Sequence, residues 1–381
     1  METAPPSGVL ERISIMNNKK KIGFVGLGLI GGSIAKAIRQ YYPDYEIVAF
    51  DKSKETLALA TQESVIDVAC TTIDDNFDNC TYIFLCAPVS YNTAYLKQLK
   101  SHLNENCILT DVGSVKTSIH KEVIALDIEE YFIGGHPMAG SEKSGFVNSK
   151  SMLIENAYYI ITPTTKVSKE KVDMYVEFVE SLKALPVVLG YEEHDYITGA
   201  ISHLPHIIAS ALVNFVKDKD GKEELMKHLA AGGFKDITRI ASSSPTMWQH
   251  ICLKNKDNIV NILDEYIEVL EDAKRSVATG SETDIYNFFE TSKNYRNSIP
   301  GGSSGPIKRM FAVYCDIIDE AGGIATIATI LAANNINLKN IGIIHNREFE
   351  EGVLRIEFYD EASSKKAAEL LQKYRYIVYE R

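Results

Sequence analysis

Between residues 20 and 190, short apolar runs alternate with longer amphipathic ones. Lys21–Val25, Glu46–Phe50, 81–86 and 106–110 are too short for helices and predict buried strands. The stretch 30–41 has helical spacing, and a polar helix is predicted near 92–103. Another short apolar strand is predicted at 131–133. Strand and helix in alternation predict an α/β fold, a Rossmann-type, mostly parallel sheet with helices on both faces.

From 191 to 297 the pattern becomes wholly helical. Within 258–279, Ile259, Ile262, Leu263, Tyr266, Leu270, Ala273 and Val277 recur at helical spacing. Such a domain has apolar faces to bury against a second copy, so we expect a homodimer. Residues 298–306, rich in Gly, Ser and Pro, read as a flexible linker. Beyond them Phe311, Val313, Cys315 and Ile317 alternate as a strand, and Ile324, Ile327, Ala328 and Leu331 mark one helix face. A strand at 336–344, a second alternation at Leu354, Ile356 and Phe358, a helix over 362–374 and a strand at 376–379 complete a βαββαβ, ferredoxin-like order. The layout is then an extension (1–19), an α/β domain (20–190), a helical domain (191–297), a linker (298–306) and a small C-terminal domain (307–381).

Composition narrows the partners. The 381 residues are 45% hydrophobic and 24% charged, as in a globular protein with a sizeable core. A net charge of −11 with no long basic run argues against nucleic acid or an anionic membrane surface as the main partner. An anionic small substrate still fits a locally positive pocket. The six cysteines form no CxxC pair and no zinc spacing, so they read as core residues of a reducing, cytoplasmic compartment. No apolar run approaches the length of a membrane span. Met1 to Ile15 lacks a hydrophobic signal core and reads as a disordered extension.

Five constellations carry chemistry. Gly26-Leu27-Gly28-Leu29-Ile30-Gly31 follows a strand and opens a helix, and Asp51 lies twenty residues on, at the end of the next strand. This is a full dinucleotide fingerprint, with Asp51 on the adenosine ribose favouring NAD over NADP. Asp111-Val112-Gly113-Ser114-Val115-Lys116 offers Ser114 as a hydrogen-bond partner for substrate or as a helix N-cap. Gly134-Gly135-His136-Pro137 places a histidine on a predicted strand-end loop, with Glu142 able to gate the pocket or sit in solvent. Ser202-His203-Leu204-Pro205-His206 lies in a helix that Pro205 should kink, with one histidine read as cleft-facing and one as structural. In Gly232-Gly233-Phe234-Lys235-Asp236-Ile237-Thr238-Arg239, Arg239 can clamp a carboxylate or pair with Asp236.

VGLGLIGGS (25–33), DVGSVK (111–116), GGHPMAGSEKSG (134–145), SHLPH (202–206) and FKDITRIASSSPTMW (234–248) together resemble the prephenate dehydrogenase family over nearly all of residues 20–381. The resemblance implies NAD-dependent oxidative decarboxylation of prephenate, with His136 as catalytic histidine and Ser114 near the ring hydroxyl. It implies substrate contacts at His206, Arg239, Ser141 and Trp248, and a gating role for Glu142. Ser141 departs from the threonine common in relatives. The cofactor set is Gly26, Gly28, Ile30, Gly31, Asp51, Pro88 and Ser114, with no metal. The C-terminal unit resembles an ACT domain, with L-tyrosine as a candidate effector. No fused chorismate-mutase module is seen, so a monofunctional enzyme is expected. Arogenate dehydrogenase is the near alternative. A catalytically silent NAD- or tyrosine-binding regulator is the distant one. A β-hydroxyacid dehydrogenase is disfavoured because its helical-domain lysine motif has no match.

Overall fold

The computed structural model describes residues 20–88, 91–140, 143–299, 311–317, 322–344 and 352–379. The extension 1–19 and most of the linker lie outside them. The chain divides into two compact units, 1–305 and 306–381.

In the first unit, strands β1 (Lys21–Val25), β2 (Glu46–Phe50), β3 (Val68–Cys70), β4 (Tyr82–Leu85) and β5 (Ile108–Asp111) form a parallel sheet in the order β3-β2-β1-β4-β5. β1, β2, β4 and β5 are largely buried on both faces, which is why they read as continuous apolar runs, whereas Ala69 of the short edge strand β3 is exposed. Helices α1 (Leu29–Tyr41), α2 (Lys54–Gln62), α3 (Asn92–Leu99) and α4 (Thr117–Ala125) connect them. Aromatic rings fill one layer, with Phe24 stacked on Phe84 at 5.1 Å and Tyr82 on Phe178 at 4.3 Å.

The five-stranded sheet is parallel throughout, and a separate second sheet follows it. Strands β6 (Ile133–Pro137), β7 (Tyr158–Pro163) and β8 (Leu185–Val188) form it, with β6 and β7 antiparallel; helix α5 (Lys169–Ser181) lies between β7 and β8. The strand predicted at 131–133 is thereby corrected. Tyr131 belongs to a 3₁₀ turn, and the strand runs on through His136 to Pro137. Gly134 and Gly135 hid this, since glycine carries no strand signal. Here they permit close packing: a Cβ on Gly134 would lie 2.3 Å from the Thr162 hydroxyl, and one on Gly135 would lie 2.6 Å from the Asp111 carbonyl.

The helical part contains α6 (Tyr191–Thr198), a π-helical turn (Gly199–His203) and α7 (Leu204–Lys219) in one run. It continues with α8 (Leu225–Leu229), α9 (Gly232–Thr238), α10 (Pro245–Lys254), α11 (Lys256–Thr279) and α12 (Glu282–Ser298). Helix α12 thus ends one residue inside the segment read as linker. The π turn sits just before Pro205, which lacks an N–H for the regular ladder. By length and composition alone the helical run Tyr191–Lys219 could cross a bilayer, contrary to the expectation that no apolar run approaches that length. It also carries His194, Asp195 and Thr198, all buried against the rest of this unit. On α11, Ile259 and Ile262 are buried, whereas Leu270 and Val277 of the same predicted face are 49% and 67% exposed.

The second unit comprises β9 (Phe311–Ile317), α13 (Gly323–Ala333), β10 (Asn340–Ile344), β11 (Gly352–Phe358), α14 (Glu361–Lys373) and β12 (Val378–Tyr379). Its sheet is antiparallel in the order β10-β11-β9-β12. Val313, Cys315, Leu354 and Ile356 meet Ile327, Leu331 and Leu371 in its core. The strand read at 336–344 starts late because Ile336 still closes α13, its amide donating to Leu331 at 3.0 Å.

Candidate functional site

The site begins at the carboxyl ends of β1, β2, β4 and β5, where such sheets bind ligands. Gly26 has φ +98°, and a Cβ there would lie 2.9 Å from the Ala87 amide nitrogen. Gly31 packs α1 against Cys86, with the Gly26 carbonyl 2.6 Å from where its Cβ would be. Gly28 caps α1 without a side-chain bond, and nothing lies within 4 Å of its missing Cβ. The first amides of α1 are therefore open to an anion. Asp51 is held ready: one oxygen accepts from the Leu27 amide at 2.7 Å and the other from the Ser53 amide at 2.8 Å. Ile30 is half-buried in the first turn of α1 and Pro88 is exposed beyond β4. These residues fit a dinucleotide.

Below the adjoining part of the cleft lies a buried ion pair that the sequence reading missed. Lys116, fully buried, donates to the Asp111 carboxylate and, at 2.7 Å, to the Gly135 carbonyl. Burial lowers its ammonium pKa, and Asp111 opposes that shift. Asp111 also accepts from the Gly113 and Gly135 amides at 2.9 and 3.2 Å. The end of β5 and the backbone beside His136 are thereby locked together.

Ser114 is not a helix N-cap. Helix α4 starts at Thr117, and its first amides are taken by the Asp195 carboxylate from α6: Lys116 N and Thr117 N both donate at 2.7 Å. The half-buried Ser114 hydroxyl has no hydrogen-bond partner among the described residues.

His136 stands on β6 at the cleft. Its Nδ1 lies 2.8 Å from Nε2 of His194, whose Nδ1 lies 2.8 Å from Asp195 Oδ1. Nε2 of His136 has no hydrogen-bond partner among the described residues. Burial, then His194, Lys116 and His203, holds the His136 imidazole well below its ordinary pKa, so the ring is neutral at physiological pH and its free nitrogen can accept a proton. For Asp195, burial pushes upward, but bonds from His194 and the two amides outweigh it and keep the carboxylate ionised. His194 and Asp195 belong to the polar run Glu192-Glu193-His194-Asp195, which carries no local sign that these two turn inward.

The two histidines of SHLPH have different surroundings. His203 is buried, its Nδ1 accepting from the Asn255 amide at 3.1 Å, and burial takes its pKa down to about 4. His206 donates Nδ1–H to the Ser202 carbonyl at 2.9 Å, leaving Nε2 outward, and stacks on Trp248 at 3.8 Å. The Trp248 indole N–H is buried without a partner among the described residues. Arg239 is exposed at the start of the 3₁₀ turn after α9. Ser141 and Glu142 lie outside the described residues.

A glycine loop on a parallel sheet, followed by a second sheet that carries a buried neutral histidine and by a helical domain, is the arrangement of a dinucleotide-dependent oxidoreductase. The chain matches the nucleotide-binding domain of prephenate dehydrogenase over residues 34–188 and the prephenate dehydrogenase dimerization domain over 191–292. It belongs to the prephenate dehydrogenase family. It is 38% identical to the prephenate dehydrogenase of Bacillus subtilis over 93% of this chain and 96% of that protein. Among solved structures, it resembles a prephenate dehydrogenase from A. aeolicus in complex with hydroxyphenyl propionate and NAD+ (33% identity, TM-score 0.70, covering 74% of this chain and 99% of that one). It also resembles the Synechocystis arogenate dehydrogenase at 27% identity and TM-score 0.67, over 74% of this chain and 100% of that one.

Proposed function

We propose that this protein oxidises prephenate with NAD, releasing CO2 and forming 4-hydroxyphenylpyruvate. The observation that carries the reading is His136 on β6, neutral, its Nδ1 held by His194 and its Nε2 without a hydrogen-bond partner among the described residues, in a chain that also carries the dinucleotide loop. NAD, when bound, supplies the acceptor for the hydride leaving C4 of the ring. His136 Nε2 removes the C4 hydroxyl proton as a general base. Loss of the ring carboxylate as CO2 makes the ring aromatic and drives the reaction forward. Gly26, Gly28, Ile30, Gly31, Asp51 and Pro88 hold the cofactor, and the Asp51 carboxylate disfavours a 2′-phosphate.

Ser114 hydrogen-bonds near the substrate hydroxyl, and His206, Trp248 and Arg239 receive the dianion. A contact from Ser141 and gating by Glu142 rest on the family resemblance. The exposed apolar residues Leu270 and Val277 support a homodimer. The βαββαβ order of the C-terminal unit supports an ACT-like effector domain, for which L-tyrosine is the candidate, in a cytoplasmic biosynthetic enzyme. Likeness to an arogenate dehydrogenase keeps arogenate as the second substrate reading.

The test follows NADH absorbance with purified protein, NAD and either prephenate or arogenate. Turnover of prephenate is expected. Turnover of arogenate alone moves the assignment to the second reading. Silence with both, in a protein that still binds NAD, leaves a regulator.

A further inference from the structure

The contacts behind His136 set its tautomer. A carboxylate only accepts, so the 2.8 Å bond between His194 and Asp195 is donated by His194 Nδ1–H. Neutral His194 then has its lone pair on Nε2, and the 2.8 Å contact to His136 is donated by His136 Nδ1–H. The lone pair of His136 is left on Nε2, facing the cleft. We infer that His194, oriented by Asp195, is a positioning residue that selects the basic tautomer of His136 and shares the positive charge created when His136 takes the substrate proton. The inference rests on the reading of His136 as the base.

Among the described residues, the other groups that act on His136 are committed elsewhere. Lys116 is committed to Asp111 and the Gly135 carbonyl. His203 has its Nδ1 occupied by Asn255. Burial, a second charge on His194, and these neighbours disfavour a cation confined to His136, so the two rings share one proton, and Asp195 is the anion joined to them by hydrogen bonds. The proton balance is simple. The hydroxyl proton goes to His136 Nε2, the Nδ1 proton moves toward His194 Nε2, and the resulting imidazolium pairs with Asp195. Asp195 also accepts two α4 amides, so the chain spans the junction of the α/β and helical parts.

The experiment compares His194→Ala, His194→Gln and His136→Asn in the full-length protein, measuring kcat, prephenate KM, NADH affinity and the pH dependence of kcat. His194→Ala should lower kcat by about 100-fold with KM and NADH affinity within about threefold, since it removes both the orientation of the base and the sharing of its charge and leaves the binding residues in place. His194→Gln should recover about tenfold of that loss, because its amide oxygen accepts from His136 Nδ1–H. Its acid limb should move about one unit to lower pH, because an amide cannot carry the charge and His136 becomes a weaker base. Unchanged kcat and acid limb in both variants, with His136→Asn inactive, would overturn the inference and leave the base in place. Full activity in His136→Asn would instead remove the base. If His194→Ala does not fold, His194→Gln decides: a lowered kcat with the limb shifted upholds the role, and parental values or a loss with the limb unmoved overturn it.

Discussion

The two halves of the site are built in opposite ways. The dinucleotide half is made of backbone: glycines that let loop, strand end and helix meet, and amides of α1 left open. The half that holds His136 is made of buried side chains, Lys116 with Asp111 and His136 with His194 and Asp195. A backbone site is local and tolerant of its surroundings. A buried polar network stands or falls as a whole, because each unpaired member costs the full price of its desolvation. The chemical half should therefore be the more sensitive to single changes.

The sharpest contrast is at the base. His136→Asn should lower kcat by about two to four orders of magnitude while NADH affinity, read by fluorescence, stays within about threefold. Equal losses in both would mean that the halves are not separable. Next comes Asp111→Ala, which leaves the Lys116 ammonium buried and unpaired. It should cost about 3–5 kcal/mol of stability by denaturant unfolding, whereas Gly28→Ala, where nothing crowds the missing Cβ, should cost under about 1 kcal/mol and act on cofactor binding. A small loss in Asp111→Ala would show that the buried half can relax.

The same half should respond to pH. His203 and His120 are held neutral, with pKa values lowered by burial to about 4 and about 3, below the 6.5 of the unfolded chain. The unfolded state then binds more protons below pH 6.5, so stability falls as pH drops from 6.5 toward those values, by up to about 1.4 kcal/mol per pH unit for each group. A melting temperature flat between pH 6.5 and 4.5 would contradict this. The smallest effect separates two readings of Ser114. Ser114→Ala should slow turnover about tenfold and leave stability within about 0.5 kcal/mol, whereas loss of an N-cap would cost about 1 kcal/mol.

The backbone half was legible in the sequence because glycine spacing, an adjoining strand and a distant Asp51 encode it locally. β1 and β2 were placed to the residue because their apolar runs end at turn-forming positions. The other half was legible only in part. His136 stood out, but its strand was read short because Gly134 and Gly135 carry no pattern, and Ser114 was left between two roles. The cap on α4 turned out to come from Asp195, on the far side of a domain junction. His194, Asp195 and the pairing of Lys116 with Asp111 were not singled out at all.

Periodicity and turn chemistry by themselves determined β1, β2, β4 and β5, the change from an α/β to a helical pattern, and the glycine-rich loop after β1, because these depend on residues within a few turns of one another. The tertiary structure alone decided which tautomer His136 adopts, what caps α4 and where the buried charges pair. Those outcomes depend on groups far apart in the chain, such as His136 and His194 at 58 residues, whose protonation and burial exist only once the chain has packed.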